Sequence, residues 1–232
     1  MNLFHDIYPQ LLDLSPLEGR LIGIAGKARR GKGTAVGAIK AALPRVAEIA
    51  SAEPIKAYCA LVYDLSPDQL EETKDVPDPR YRETPRTLYQ ALGAVMRKYD
   101  GDVWINLSLR RGAYMLAVPQ LERPQGGFAA SWTMARTDYV VISDVRYLNE
   151  AHAIRQAGGY LILVDGPERA KTGQALSASA ATHESEVDMD LPEFRRLCDV
   201  RLTNDRRDTK AEFERLVARE IEKAKESGAL WT

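Results

Sequence analysis

The sequence holds only two cysteines, Cys59 and Cys198, in 232 residues. That is too few for a disulfide framework, so the expectation is two core thiols in a reducing cytoplasm. Long apolar runs are missing too: Tyr160 to Val164 is among the longest, far short of the roughly 18 residues that span a bilayer. The first residues, MNLFHDIYPQLL, have no basic stretch ahead of an apolar one, and no secretory leader is expected. Nor is there an excess of positive charge. Lys and Arg number 32 against 33 Asp and Glu, a net charge of −1, which disfavours a nucleic-acid coat or scaffold. No internal repeat is visible. With 45% hydrophobic and 28% charged residues the composition is that of an ordinary globular protein, and the length suits a single domain with a small insert.

Short apolar runs alternate with helical patterns along the chain. Residues 20–25 read as a buried strand entering a glycine-rich loop, with a helix following to about Leu43 and a second strand over residues 45–50. Pro54 is placed to open a helix, Ser66-Pro67 a shorter one, and Thr84-Pro85 the most periodic helix in the chain, running to about Tyr99. Asp102 precedes another, to about Ala113. Further strands are expected at residues 139–143, 160–164 and 200–203, with helices near Asn149 to Gln156 and Lys210 to about Glu226. This alternation predicts an α/β fold, a parallel sheet with helices on both faces. Two stretches fall outside it. Residues from about 114 to 137 hold two prolines and a Gly-Gly without a clear period, and read as an irregular insertion that would suit an oligomer contact, hence a homodimer. Residues from about 166 to 183, rich in Gly, Ala and Ser, are either a lid that brings Arg169 and Lys171 over a ligand or a plain surface loop.

The sharpest motif is GKARRGKGT, Gly26 to Thr34, with the Gly, four residues, Gly-Lys spacing of a phosphate-binding loop. It lies between a strand and a helix, where backbone N–H groups can face a polyphosphate and Lys32 can reach the transferred group. Gly33 stands where a Ser or Thr is usual, and Thr34 follows one place late, so Mg²⁺ is expected either on the Thr34 hydroxyl or through water. Asp144 ends a predicted strand, at the edge of the sheet where ligands of open α/β folds bind, and is the expected metal carboxylate. Arg146, two residues on, suits either phosphoryl charge or a pairing with Glu150. On the helix from Pro85, Leu88, Leu92, Val95, Met96 and Tyr99 fall on one face, expected to be core. Arg86, Gln90 and Arg97 fall on roughly the opposite one, a stripe of donors suited to an anion. His183, Glu184 and Glu186 lack a partner cluster and are not expected to form a metal centre.

Taken in order, IAGKARRGKGT, SAEPIK, TPRTLYQALG, DVW, VVISDVRYLNEAHAIRQAGG, HESE and LTND resemble the bacteriophage deoxynucleoside monophosphate kinases, a branch of the P-loop kinases. The resemblance implies a three-layer P-loop kinase fold in one domain, with an acceptor-binding helical region over about 54–113. It implies a cytoplasmic enzyme, in the host bacterium if phage-encoded, that moves the γ-phosphoryl of ATP to a deoxynucleoside monophosphate with Mg²⁺. Small nucleotides would be its partners, with neither nucleic acid nor membrane. Gly26, Arg30, Gly31, Lys32, Gly33 and Thr34 would then hold ATP, Asp144 and Thr34 the metal, and Lys32, Asp144, Arg146 and Arg169 the transfer. Glu53, Lys56, Lys74, Arg86, Gln90, Arg97, Lys98, Trp104, Ser185 and Glu186 would surround the acceptor. The family places an arginine eight positions past the glutamine; here Lys98 occupies that place with Arg97 beside it, and either can meet the acceptor. Two other functions stay open. One is a P-loop kinase with a hydroxyl acceptor, a nucleoside or dephospho-coenzyme A, using Glu53 as general base. The other is a nucleotide-dependent switch or assembly ATPase, which the neutral charge balance disfavours.

Overall fold

The run before the glycine-rich loop folds as strand β1 (Leu21–Ala25), buried at every residue. The order along the chain is β1, α1 (Lys32–Ala42), β2 (Val46–Ile49), α2 (Glu53–Tyr63), α3 (Pro67–Glu71), α4 (Pro85–Tyr99), α5 (Val103–Ala117), β3 (Tyr139–Val145), α6 (Leu148–Gln156), β4 (Tyr160–Asp165), α7 (Pro192–Leu197), β5 (Val200–Thr203) and α8 (Lys210–Glu226). A strand apolar on both faces belongs in the middle of a parallel sheet. Accordingly β1 pairs with β3 on one side, Ile22 opposite Val141, and with β4 on the other, Gly23 opposite Leu161. The five strands are all parallel, in the order β2-β3-β1-β4-β5. The computed structural model describes residues 13–117, 136–167, 188–205 and 209–231.

Alternate strand residues serve two cores. Leu21, Val140, Ile142, Leu161 and Leu163 pack with Ile105 and Leu109 of α5, Ile154 of α6 and Phe194 of α7. Ile22, Ile24, Val141, Ile162 and Val164 pack with Val36 and Ile39 of α1 and Phe213, Val217 and Ile221 of α8. This is the three-layer α/β layout expected of the chain. Local chemistry sets the helix starts: Ser66 and Gln69 form a capping box on α3, Thr84 caps α4 through the Thr87 N–H, and Thr209 and Glu212 do the same for α8.

Helices α2 to α5 form the stretch between β2 and β3, and here the sequence reading needs correcting. Of the face of α4 expected to be core, Leu88 and Leu92 are half-buried, whereas Val95, Met96 and Tyr99 are exposed, Tyr99 at 88%. The helix packs instead through Gly93. An added Cβ there would lie 3.3 Å from Ile55 Cδ1 of α2, and the Gly93 carbonyl accepts the Trp104 indole N–H of α5 at 3.2 Å. The small residue permits the close approach, and the C-terminal part of the apolar stripe, Val95, Met96 and Tyr99, is left facing outward. Helix α5 runs to Ala117, one turn beyond its expected end; the rest of the expected insertion, 118–135, lies outside the described residues. The short α7 and the 3₁₀ turn Asp188–Asp190 had no counterpart in the sequence reading. Among the described residues no helix is long and apolar enough to cross a membrane.

Both thiols are free. Cys59 is buried in α2, and burial raises its pKa; burial also pushes Cys198, just past α7, up to about 12. Neither forms appreciable thiolate at pH 8. Titration of the native protein with Ellman's reagent at that pH should give no fast-reacting thiol, and both should appear on unfolding; a fast phase in the native state would contradict this packing.

Candidate active site

Two glycines shape the loop between β1 and α1. Gly26 has φ +151° and Gly31 +103°, where side chains are strained. The space is also taken: a Cβ on Gly26 would lie 2.5 Å from the Val164 carbonyl oxygen, and one on Gly31 2.2 Å from Asn204 Nδ2. The loop is thus pressed against the carboxyl ends of β4 and β5. Gly31 caps α1 and no side chain does so, leaving the first-turn N–H groups of the helix to face a cavity of ≈ 390 Å³ lined by Arg29, Gly31, Lys32, Gly33, Thr34, Asn204, Lys210 and Phe213. At Gly33 an added Cβ would meet nothing within 4 Å, so sterics do not forbid the customary hydroxyl residue there.

Lys32 Nζ donates to the carbonyls of Gly26 at 2.5 Å and Lys27 at 3.1 Å, and lies 3.6 Å from Asp144 Oδ1. Asp144 also accepts from Arg146 Nε at 2.9 Å. Burial opposes its ionisation, but the charges of Arg146 and Lys32 outweigh that and hold the carboxyl below its usual range. One carboxylate between two cations leaves the spot net positive. Arg30, expected at ATP, turns away: its guanidinium sits 2.5 Å from Asp165 Oδ1 at the end of β4, where Arg201 also grips the carboxylate. Its neighbour Arg29, at φ +60°, lines the cavity instead.

A second cavity, ≈ 290 Å³, opens beside Asp144. Ser51, Ala52, Ile55 and Lys56 contribute from the start of α2, Lys74 from the loop after α3, and Arg86, Tyr89, Gln90, Gly93 and Arg97 from one face of α4. Asp144, Arg146, Tyr147 and Glu150 close it from the end of β3 and the start of α6. Three of its cations are held by nearby carboxylates. Arg86 makes a two-pronged contact with Asp75, at 2.5 and 3.1 Å, which holds that carboxyl below its usual range, and Lys56 lies 2.6 Å from Glu71, with Lys74 at 3.7 Å. Of the adjacent cations on α4, Arg97 faces the cavity with its guanidinium 4.5 Å over the Tyr147 ring, while Lys98 is exposed and off the wall. Positions 86, 90, 93 and 97 share a helix face and 98 does not.

Two more residues expected at the acceptor are, like Lys98, not on this wall. Glu53 turns to α5, its carboxylate 2.6 Å from Arg111, and Trp104 is buried under α4, holding the Gly93 carbonyl. Arg169, Ser185, Glu186 and all but the first two residues of the candidate lid, about 166–183, lie outside the described residues. The sequence reading missed Arg29, Asn204, Lys210 and Phe213 at the first cavity. At the second it missed Ser51, Ala52, Ile55, Tyr89, Gly93, Tyr147 and Glu150. Most of them lay inside the motifs without being singled out: Arg29 in GKARRGKGT, Ser51, Ala52 and Ile55 in SAEPIK, Tyr89 and Gly93 in TPRTLYQALG, Tyr147 and Glu150 in VVISDVRYLNE, and Asn204 in LTND, whereas Lys210 and Phe213 lay outside all of them. Among the described residues no three of His, Cys, Asp or Glu gather to form a metal centre. The ionised Asp144, with the Thr34 hydroxyl on the wall of the neighbouring cavity, does fit a hard cation such as Mg²⁺, which usually takes one or two carboxylates and completes its shell with phosphate and water.

No family model matches the chain. It is 32% identical over 174 residues to a protein of Acanthamoeba polyphaga mimivirus named "Putative deoxynucleotide monophosphate kinase", a match that covers 73% of this chain and 81% of that relative. At that identity and coverage the two belong to one family.

Proposed function

We propose that this chain, a member of the deoxynucleotide monophosphate kinase family, transfers the γ-phosphoryl group of ATP to a deoxynucleoside monophosphate, giving ADP and the diphosphate. The observation that carries the reading is the meeting of two cavities at the contact between Lys32 and Asp144, 3.6 Å apart. One is walled by a glycine-shaped phosphate loop and the other by Lys56, Lys74, Arg86 and Arg146, so a donor and an anionic acceptor would face each other across that contact.

The chemistry needs no general base. A nucleoside monophosphate has a second phosphate pKa of about 6 and is already a dianion near neutral pH. The work of the chain is positioning and charge neutralisation. Glycine backbone at 26 and 31 lets the donor phosphates approach the loop; Lys32, released from the loop carbonyls, would follow the moving phosphoryl group. Arg86 and Lys74 would hold the acceptor phosphate, and Arg146 would counter charge where the two substrates meet. Bound by Asp144 and Thr34, Mg²⁺ would supply neutralisation of the polyphosphate. Glu53 is engaged by Arg111 and absent from the cavity wall, which counts against a hydroxyl acceptor that relies on it as base.

The test is coupled ADP release with ATP and Mg²⁺ against a panel of deoxynucleoside and ribonucleoside monophosphates, with a control lacking acceptor. Turnover that requires a deoxynucleotide supports the proposal; ATP hydrolysis independent of acceptor, or silence with the whole panel, refutes it. In the same assay Arg86→Ala should raise KM for the acceptor about 10- to 100-fold, the worth of a charge-assisted contact of roughly 1.5–3 kcal/mol. KM for ATP should barely move. A larger effect on ATP than on the acceptor would put Arg86 on the wrong substrate.

A further inference from the structure

Between β3 and α6 the chain turns within a few residues, and this turn carries Asp144, Arg146 and Tyr147, all on the wall of the acceptor cavity. It is held from inside. Glu150, only 5% exposed, accepts with a single oxygen, Oε2, from the Arg146 N–H at 2.8 Å and the Tyr147 N–H at 3.1 Å. Burying a carboxylate is costly unless it is hydrogen-bonded, and here both bonds are spent on the turn that carries Arg146 and Tyr147, an N3 glutamate reaching back past the start of the helix. On α6 the cap position is Tyr147, whose ring lies under the Arg97 guanidinium in the cavity wall. The ring at the cap position lines the cavity; Asp188 Oδ2 takes the Leu148 N–H of the first helical turn at 3.0 Å, and Glu150 takes the two N–H groups of the turn just before it.

We propose that Glu150 is a positioning residue for phosphoryl transfer, its carboxylate fixing the turn and through it the aim of Asp144 and Arg146 where the two cavities meet. This rests on the kinase reading above. The side chains of Asp144 and Arg146 contact each other at 2.9 Å, so the pair moves as a unit with the backbone that bears it. Freed from Glu150, the turn can rotate and carry both away from Lys32. The phosphate loop lies on a separate segment and does not depend on Glu150, so ATP binding should survive while transfer suffers.

Three variants test this. Glu150→Gln keeps a carbonyl oxygen at the same reach, and its kcat should stay within about threefold of wild type. Glu150→Met keeps the volume and loses the acceptor; kcat should fall about 30-fold or more, the scale of a small misplacement of reacting groups. The Mg²⁺ concentration for half-maximal rate should rise about fivefold, with KM for ATP within about threefold. Glu150→Asp retains a carboxyl group but shortens the reach, and keeps the test decisive if the Met variant does not fold; it should lose about tenfold in kcat with the same rise in Mg²⁺ requirement. A purely structural role would lower the melting temperature without moving the Mg²⁺ requirement. The proposal is overturned by a folded Met or Asp variant that keeps wild-type kcat and Mg²⁺ dependence, or by a Gln variant as impaired as the Met variant, which would make charge the operative property. Wild-type protein that shows no acceptor-dependent turnover overturns the kinase reading itself, and this proposal with it; active wild type with unaffected variants overturns the proposal alone.

Discussion

Lys32→Ala should lower kcat for monophosphate-dependent ADP release about a thousandfold, roughly 4 kcal/mol of barrier, within the range seen when a single charge-stabilising donor is removed from a phosphoryl- or acyl-transfer site. The physical case is its position. The ammonium is 13% exposed, bound to two loop carbonyls and 3.6 Å from Asp144, and it stands on the first residue of α1, where the helix dipole also favours phosphate. Water cannot replace a cation held at that spot. The side chain contributes nothing to either core cluster, so the melting temperature should stay within a few degrees of wild type. A folded variant retaining a tenth or more of the activity would remove Lys32 from the chemistry.

The largest effect expected on stability is at Phe213. Its ring is 1% exposed and packs in the cluster of Ile22, Ile24, Ile39 and Val217 between the sheet and α8. Truncation to Ala should cost about 3–5 kcal/mol, the range for a buried phenylalanine, and lower the melting temperature by roughly 10 °C in a domain of this size. The ring also reaches the loop: a Cβ on Gly31 would lie 3.6 Å from Phe213 Cε1, and Phe213 lines the first cavity. Phe213→Ala should therefore raise KM for ATP as well. Val217→Ala, one turn further along α8 in the same core, should destabilise without that change. Equal KM values in the two variants would show that the loop does not lean on this ring.

How much of this could be read from the residues depended on how local the determining physics is. The run RLIGIA followed by GKARRGKGT fixes a strand, a loop and a helix start within about fifteen residues, and the structure has all three. Helix α4 shows both the reach and the limit of periodicity. Spacing correctly groups Arg86, Gln90 and Arg97 on one face, because the helix period sets their angles. It cannot say which face is covered, and the end of the apolar stripe that resembled core, Val95, Met96 and Tyr99, is open because the packing partner meets Gly93. Arg29 and Arg30 are neighbours in a loop whose torsions no propensity dictates. Which one faces the cavity follows from Asp165, distant in sequence, claiming Arg30. Strand order is likewise invisible in the residues, since any β strand of suitable apolarity can neighbour any other until the crossovers are known.

The matched cations of the second cavity bear on how its ligand is chosen. Arg86 already grips a carboxylate with both prongs, and Glu71 stands against Lys56 and Lys74. An incoming phosphate would not be adding ion pairs to bare charges but exchanging partners with Asp75 and Glu71. An exchange leaves the number of ion pairs nearly constant, so acceptor affinity would vary little with ionic strength, unlike the steep decline expected of a naked basic pocket. A stray chloride or single-charged anion, offering one prong or none, would gain little by displacing a carboxylate that offers two. The same pairing, which offsets much of the pocket's positive charge at rest, would favour a doubly charged, multidentate oxyanion.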